Sequence, residues 1–164
     1  MKYIVLLMAV MVVTACNVTR SLPEGTYLLH EVNIEDDKQT PRDERITRDK
    51  DGLDTYVRQS PNKRILNLDF YVWVYEKANP EKNNWWNNFK RKIGQPPVLL
   101  DSTLTQKSVQ NLQTYLHTRG YFSSKVDCSV EQMRRKRRVE ITYTITQGEA
   151  TRIDSLEYEF RDRS

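Results

Sequence analysis

Tyr115-Leu116-His117-Thr118-Arg119-Gly120-Tyr121-Phe122 is the stretch that decides the fold. Upstream of it Val109, Leu112 and Leu116 recur at helical spacing, and Asp101, Ser102, Thr103 and Thr105 offer N-caps. A helix should therefore run from these caps to Thr118. Gly120 stands where a left-handed C-cap belongs, because glycine takes φ > 0 without a Cβ clash. Tyr121 and Phe122 follow, and should dock the helix end. Downstream, Val126, Cys128 and Val130 alternate along one strand. Val139, Ile141, Tyr143 and Ile145 alternate along the next, with Glu140, Thr142 and Thr144 turned outward. The pattern is a helix followed by a β-hairpin. It puts Cys128 on the inward face, where a thiol acts as a small buried hydrophobe.

Between those strands runs Arg134-Arg135-Lys136-Arg137-Arg138. It reads as a solvated hairpin turn, with lipid headgroups or an acidic partner as the functional alternative. No aromatic residue interrupts it, so it lacks the stacking platforms of a single-strand nucleic-acid binder. Moving toward the N-terminus, Val98-Leu99-Leu100 is a short strand, and Gly94-Gln95-Pro96-Pro97 breaks the chain as a domain boundary. Trp85, Trp86, Phe89 and Ile93 fall at helical spacing beside Lys82, Lys90, Arg91 and Lys92. That helix either packs on its own domain or rests on a membrane interface, where Trp and Lys are favoured. Leu68 to Lys77 is rich in aromatic and β-branched residues and predicts a strand buried on both faces. Leu53, Tyr56 and Val57 predict a helix ended by Ser60-Pro61-Asn62. Tyr27 to Ile34 predicts a strand with Leu28, His30, Val32 and Ile34 on one face, His30 being a packed, hydrogen-bonded residue. Leu53-Asp54-Thr55-Tyr56-Val57 parallels Leu112-Gln113-Thr114-Tyr115-Leu116, which suggests two copies of one unit. The expected organisation is a tether over 16–26, a first unit over 27–94 with a Trp-rich helical insertion, and a second over 95–150. A third unit would begin within 151–164, where Leu156, Tyr158 and Phe160 alternate. A lone strand needs a partner for its apolar side.

The chain has 164 residues, 29% of them charged, with a net charge of +4. Mean hydropathy is −0.74. The charge permits attraction to acidic partners but does not demand nucleic acid. His30 and His117 are the two histidines and lie far apart in sequence. There is no Gly-x-Ser-x-Gly motif, no Gly-rich phosphate loop and no Cys/His spacing that suits zinc. Catalytic residues, a metal, a soluble cofactor and a small-molecule substrate are therefore not expected.

The N-terminus reads as an export signal. Lys2 precedes an apolar run from Tyr3 to Val13, too short to span a bilayer, and Val13-Thr14-Ala15-Cys16 follows. Val-Thr-Ala-Cys resembles the bacterial lipobox. That resemblance implies a signal peptide over 1–15 and acylation of Cys16, with covalent lipid as the anchor. Several acyl chains hold a protein on a membrane durably. Asn17 is not the Asp that resembles an inner-membrane retention signal, and no acidic run follows Cys16. The expected location is the outer membrane, facing the periplasm. With Cys16 acylated, Cys128 is the remaining thiol, so no intrachain disulfide staples the fold.

Pro96 to Glu149 resembles a POTRA domain, a small β-α-α-β-β module. The motif Tyr115-Leu116-x-x-Arg119-Gly120-Tyr121-Phe122 is similar to the pattern of the BamA/TamA superfamily of outer-membrane assembly proteins. Ile145-Thr146-Gln147-Gly148-Glu149 resembles a module end, and Arg152-Ile153-Asp154-Ser155-Leu156 the start of the next. Leu22 to Leu29 and Gln59 to Leu66 resemble the opening module of TamA-like lipoproteins. The implied fold is α+β: tandem small POTRA-like modules, each a mixed sheet packed by helices on one face. Such families end in a membrane barrel, which this chain does not contain; it reads as a piece of a longer protein or a short relative. The implied function is a periplasmic scaffold that binds unfolded outer-membrane β-barrel proteins or an assembly-machinery subunit by β-strand addition. Gly120, Tyr121 and Phe122 would be its structural signature. The alternative is a free-standing outer-membrane lipoprotein that tethers a partner.

Overall fold

The structure is a computed structural model, and it describes residues 18–20, 22–48, 50–79, 81–133, 137–152, 154–155 and 157–158. Strand β1 is Leu28–Asp36, helix α1 is Lys50–Asp54, α2 is Phe70–Glu76 and α3 is Trp85–Ile93. Helix α4 is Ser102–Thr118, and the hairpin is β2, Lys125–Gln132, and β3, Arg138–Thr146. The sheet order is β1-β3-β2. β3 pairs antiparallel with β2 and parallel with β1.

That pairing changes the expected organisation. β1 comes from the segment assigned to a first unit and β3 from the second, yet they are neighbours in one sheet. The break at Gly94–Pro97 does not separate two sheets, because Val98 and Leu100 hydrogen-bond across it to β1, Leu29 N–H to Val98 O at 2.8 Å and Leu100 N–H to Tyr27 O at 2.9 Å. The chain forms one β-α-α-β-β unit: β1, α1, α4, β2, β3. Residues 55–101 are an insertion between its two helices. The sequence repeat has a different meaning in this light. Leu53, Leu112 and Leu116 are buried in one core, and Tyr56 and Tyr115 pack against each other at 4.7 Å between ring centroids. The two matching segments are the end of α1 with the turn after it and the last half of α4, touching across the core of one module.

β3 is central and buried, with Val139, Ile141, Tyr143 and Ile145 facing α1 and α4. In β1 the register slips between Leu29 and Glu31. One extra residue in a strand reverses the side chains beyond it. Leu29 and Ile34 therefore both belong to the main core, whereas Leu28 turns to a second cluster with Val18, Leu22 and Val72. The expectation that Leu28 shares a face with Val32 and Ile34 fails for this reason.

The expected strand at Leu68–Lys77 is instead helical over its middle. Ile65 and Leu68 exchange backbone hydrogen bonds across a tight turn in which Leu66 and Asn67 both have positive φ. The chain leaves that turn into α2, where Trp73 N–H bonds Asp69 O and Lys77 N–H bonds Trp73 O. Val72 is the buried residue of α2 and plugs the second cluster.

The basic run is not simply a solvated turn. Residues 134–136 lie outside the described residues. Arg137 donates to the carbonyls of Pro23 and Thr19, and Arg138 forms a buried ion pair with Asp69 at the start of α2. Of Leu156, Tyr158 and Phe160, on which a further strand was to rest, Leu156 and Phe160 also lie outside the described residues, and Tyr158 is exposed and in no strand.

Candidate functional site

β2 forms one edge of the sheet. Met133 N–H bonds Arg138 O and thereby fixes the alternation of the antiparallel ladder. It follows that the N–H and C=O of Cys128, Val130 and Gln132 point away from β3. Val126 shares this orientation, and its N–H is taken by Gln113 Oε1 of α4 at 3.1 Å. Gln113 also donates to Ser124 O at 2.6 Å, so one side chain clips the start of β2 to the helix.

Beyond that clip the cover ends. Val126, Cys128 and Val130 lie opposite Ile145, Tyr143 and Ile141, on the core side of the sheet. Val126 is buried, but Val130 is 46% exposed and Cys128 is an exposed free thiol. The expected buried role of Cys128 is thus corrected: its face is right, but α4 does not reach it. Partial shielding still pushes its thiol pKa up, so it stays neutral at pH 7. The result is a strand edge whose outward backbone groups at Cys128, Val130 and Gln132 pair with none of the described residues, beside an apolar shelf. An extended segment gains main-chain hydrogen bonds on such an edge with little demand on its sequence. The short segment Val98–Leu100 lies against the start of β1 and bridges to it.

Behind the shelf the helix end is tightly closed. Gly120 has φ +89°. Its N–H bonds His117 O and the Tyr121 N–H bonds Leu116 O, both at 3.0 Å. This is the paired pattern of a Schellman C-cap. Tyr121 packs against the main core. Phe122 does not dock as expected; it is 61% exposed, with its ring 5.9 Å from that of His117.

A second surface feature lies on α3. Trp85, Trp86 and Phe89 are 66%, 60% and 51% exposed, and their rings contact one another. The reading in which this face packs on its own domain is not what the structure shows. Cys16 lies outside the described residues.

The polar interior carries one group that sequence reasoning placed but did not connect. His30 is buried, and Arg64 Nη1 lies 2.7 Å from its Nε2. Burial, then Arg64 and Arg138, pull its pKa below 6.5, so the imidazole is neutral and accepts from the guanidinium. Arg64 also donates to Asn67 Oδ1. These contacts tie the insertion to β1. Among the described residues no cluster of His, Cys, Asp or Glu could hold a metal ion, and no helix is long and apolar enough to cross a membrane.

Residues 87–148 match the POTRA family, described as surface antigen variable number repeat. The matched stretch is similar to a POTRA domain, and the fold is consistent with a POTRA-like module. It spans α3, α4, β2 and β3, and β1 completes the mixed sheet from outside it. Comparison with curated proteins and with solved structures gave no match. POTRA domains generally mediate protein–protein interaction in outer-membrane assembly, and they are interaction modules rather than catalytic ones.

Proposed function

We propose that this chain is a periplasmic interaction module of an outer-membrane assembly factor, anchored by lipid on Cys16. Its partners are unfolded outer-membrane β-barrel proteins or a subunit of the assembly machinery, which it takes up by strand addition on β2. The open β2 edge carries the proposal. Its outward backbone groups at Cys128, Val130 and Gln132 lie next to the apolar shelf of Cys128 and Val130. A β-barrel strand before insertion is extended and alternates apolar with polar residues, so one face of it fits that shelf. Recognition in this reading is by backbone and shape.

Cys128 provides the test. A photo-activatable cross-linker attached to its thiol in the full chain should capture unfolded β-barrel proteins as they arrive in the periplasm. Val130→Pro removes one outward N–H without touching a bond to β3, and edge strands tolerate proline. Capture should fall sharply in that variant. Equal capture by both proteins would refute strand addition. Labelling with radioactive palmitate, lost in Cys16→Ser, tests the anchor separately.

A further inference from the structure

α3 is amphipathic in the reverse sense for a helix on a protein surface. Successive residues advance by about 100° around the axis. Trp85, Trp86, Phe89 and Ile93 therefore form one apolar stripe, with Lys90 on one flank and Lys92 on the other. Asn87 and Arg91 occupy the opposite side. It is this polar side that meets the protein. Asn87 is buried, and its amide donates to Lys82 O at 3.2 Å. Arg91 donates to Lys82 O at 2.8 Å and to Asn79 O at 3.4 Å. Gln95 N–H bonds Tyr71 O, joining the end of α3 to α2. A helix held by its polar side, with an aromatic stripe turned out, is shaped to be covered by something apolar.

The α2–α3 pair, which carries the stripe, lies near the start of the described chain. Val18 and Leu22 pack with Val72 of α2 in the second cluster. Leu22 and Pro23 line one groove together with Tyr75 of α2 and Arg91 of α3. Cys16 precedes Val18 by two residues, a reach of no more than roughly 7 Å. A lipid on Cys16 would therefore hold the bilayer surface beside the α2–α3 pair.

We infer that the Trp85–Trp86–Phe89 stripe of α3 sits in the membrane interface, with the exposed Lys92 against anionic headgroups. Trp settles at that depth because its ring is apolar and its N–H is polar, and flanking lysines extend their stems along the apolar layer while keeping the charge in water. The stripe is a second attachment point that fixes how the module stands on the membrane. The location of the bilayer rests on the proposed acylation of Cys16; the chemistry of the stripe does not.

The full chain, reconstituted into phosphatidylethanolamine–phosphatidylglycerol vesicles with brominated acyl chains, tests this through tryptophan emission. Bromolipid should quench the wild-type emission. Trp85→Ser/Trp86→Ser, which leaves the half-buried Trp73, should lose that quenching. Lys92→Glu should weaken it. Unquenched emission that iodide reaches freely would overturn the inference, because the stripe then faces water. Emission shielded from both would also overturn it, since a second copy or a protein partner then covers the face. Undiminished quenching in Lys92→Glu contradicts the headgroup contact. Acylated protein without quenching sinks this inference and leaves the anchor standing. Quenching in a chain that carries no acyl group, held by its apolar Tyr3–Val13 run, does the reverse.

Discussion

Gly120 and His30 show how much single residues carry in this module. At φ +89° a side chain at position 120 is strained, and a Cβ there would also come within 2.8 Å of Thr151 O. Gly120→Val should lower stability by at least about 1–2 kcal/mol, seen as a reduced urea midpoint. An unchanged midpoint would remove the C-cap from the account of this fold. His30 acts through pH. Its folded pKa lies below its unfolded value of 6.5, so the unfolded chain binds the extra proton first. Stability from this site is complete above about pH 6.5 and is lost as pH falls toward the folded pKa. Protonation would turn the ring's acceptor into a donor facing Arg64 and Arg138, with Asp69 and Glu31 offering partial compensation. His30→Gln keeps an acceptor and does not titrate. Melting curves from pH 7 to 5 should fall for the wild type and run flatter for the variant; parallel curves would count against the imidazole as the sensor.

Among the elements, those with a clear period were legible in the sequence and those without one were not. Val139, Ile141, Tyr143 and Ile145 alternate because one face of β3 is buried, and the strand is where that alternation puts it. The caps of α4 were equally readable. Asp101 accepts from Thr103 N–H at 2.8 Å and from Leu104 N–H at 3.2 Å, and Asp101→Ala should cost about 1 kcal/mol in chemical denaturation. An unaltered midpoint would mean solvent replaces the cap. α2 was misread because Phe70 to Tyr75 is apolar at every position, so neither period shows. Its helical state is set by what surrounds it: a tight turn before and one slot for Val72. The bulge in β1 left no mark either, since Leu28 and Leu29 are alike and only the neighbours decide which faces which core. On the candidate edge, alternation gave the face of Cys128 and Val130 correctly. Their exposure depends on how far α4 extends over the sheet, which local pattern does not encode.

At the scale of the molecule, the insertion is stitched to the sheet by charge. Asp69 and Arg138 are both buried and ion-paired, and Asp69 thereby gives up capping α2 with its side chain. Removing one partner strands the other charge in a dry site. Asp69→Asn should cost about 3–5 kcal/mol, whereas Asp69→Leu/Arg138→Met should recover most of it. If both variants unfold alike in urea, the pair is not what holds the insertion. The single sheet itself was hidden from sequence reading. The Leu53–Val57 and Leu112–Leu116 likeness pointed to two modules, while the parallel contact that joins them spans most of the chain and has no local signal.

The same parallel contact has a consequence for how the chain is made. Leu28 is among the first residues of the body, and its sheet neighbour Arg138 lies beyond both helices and the whole insertion. Contacts between such distant segments form late and slowly. Under the export proposed here, β1 emerges early and waits without its sheet neighbour β3 until the hairpin has followed it. The order of strands would keep this unit open, and threadable, until its last strand had crossed the inner membrane.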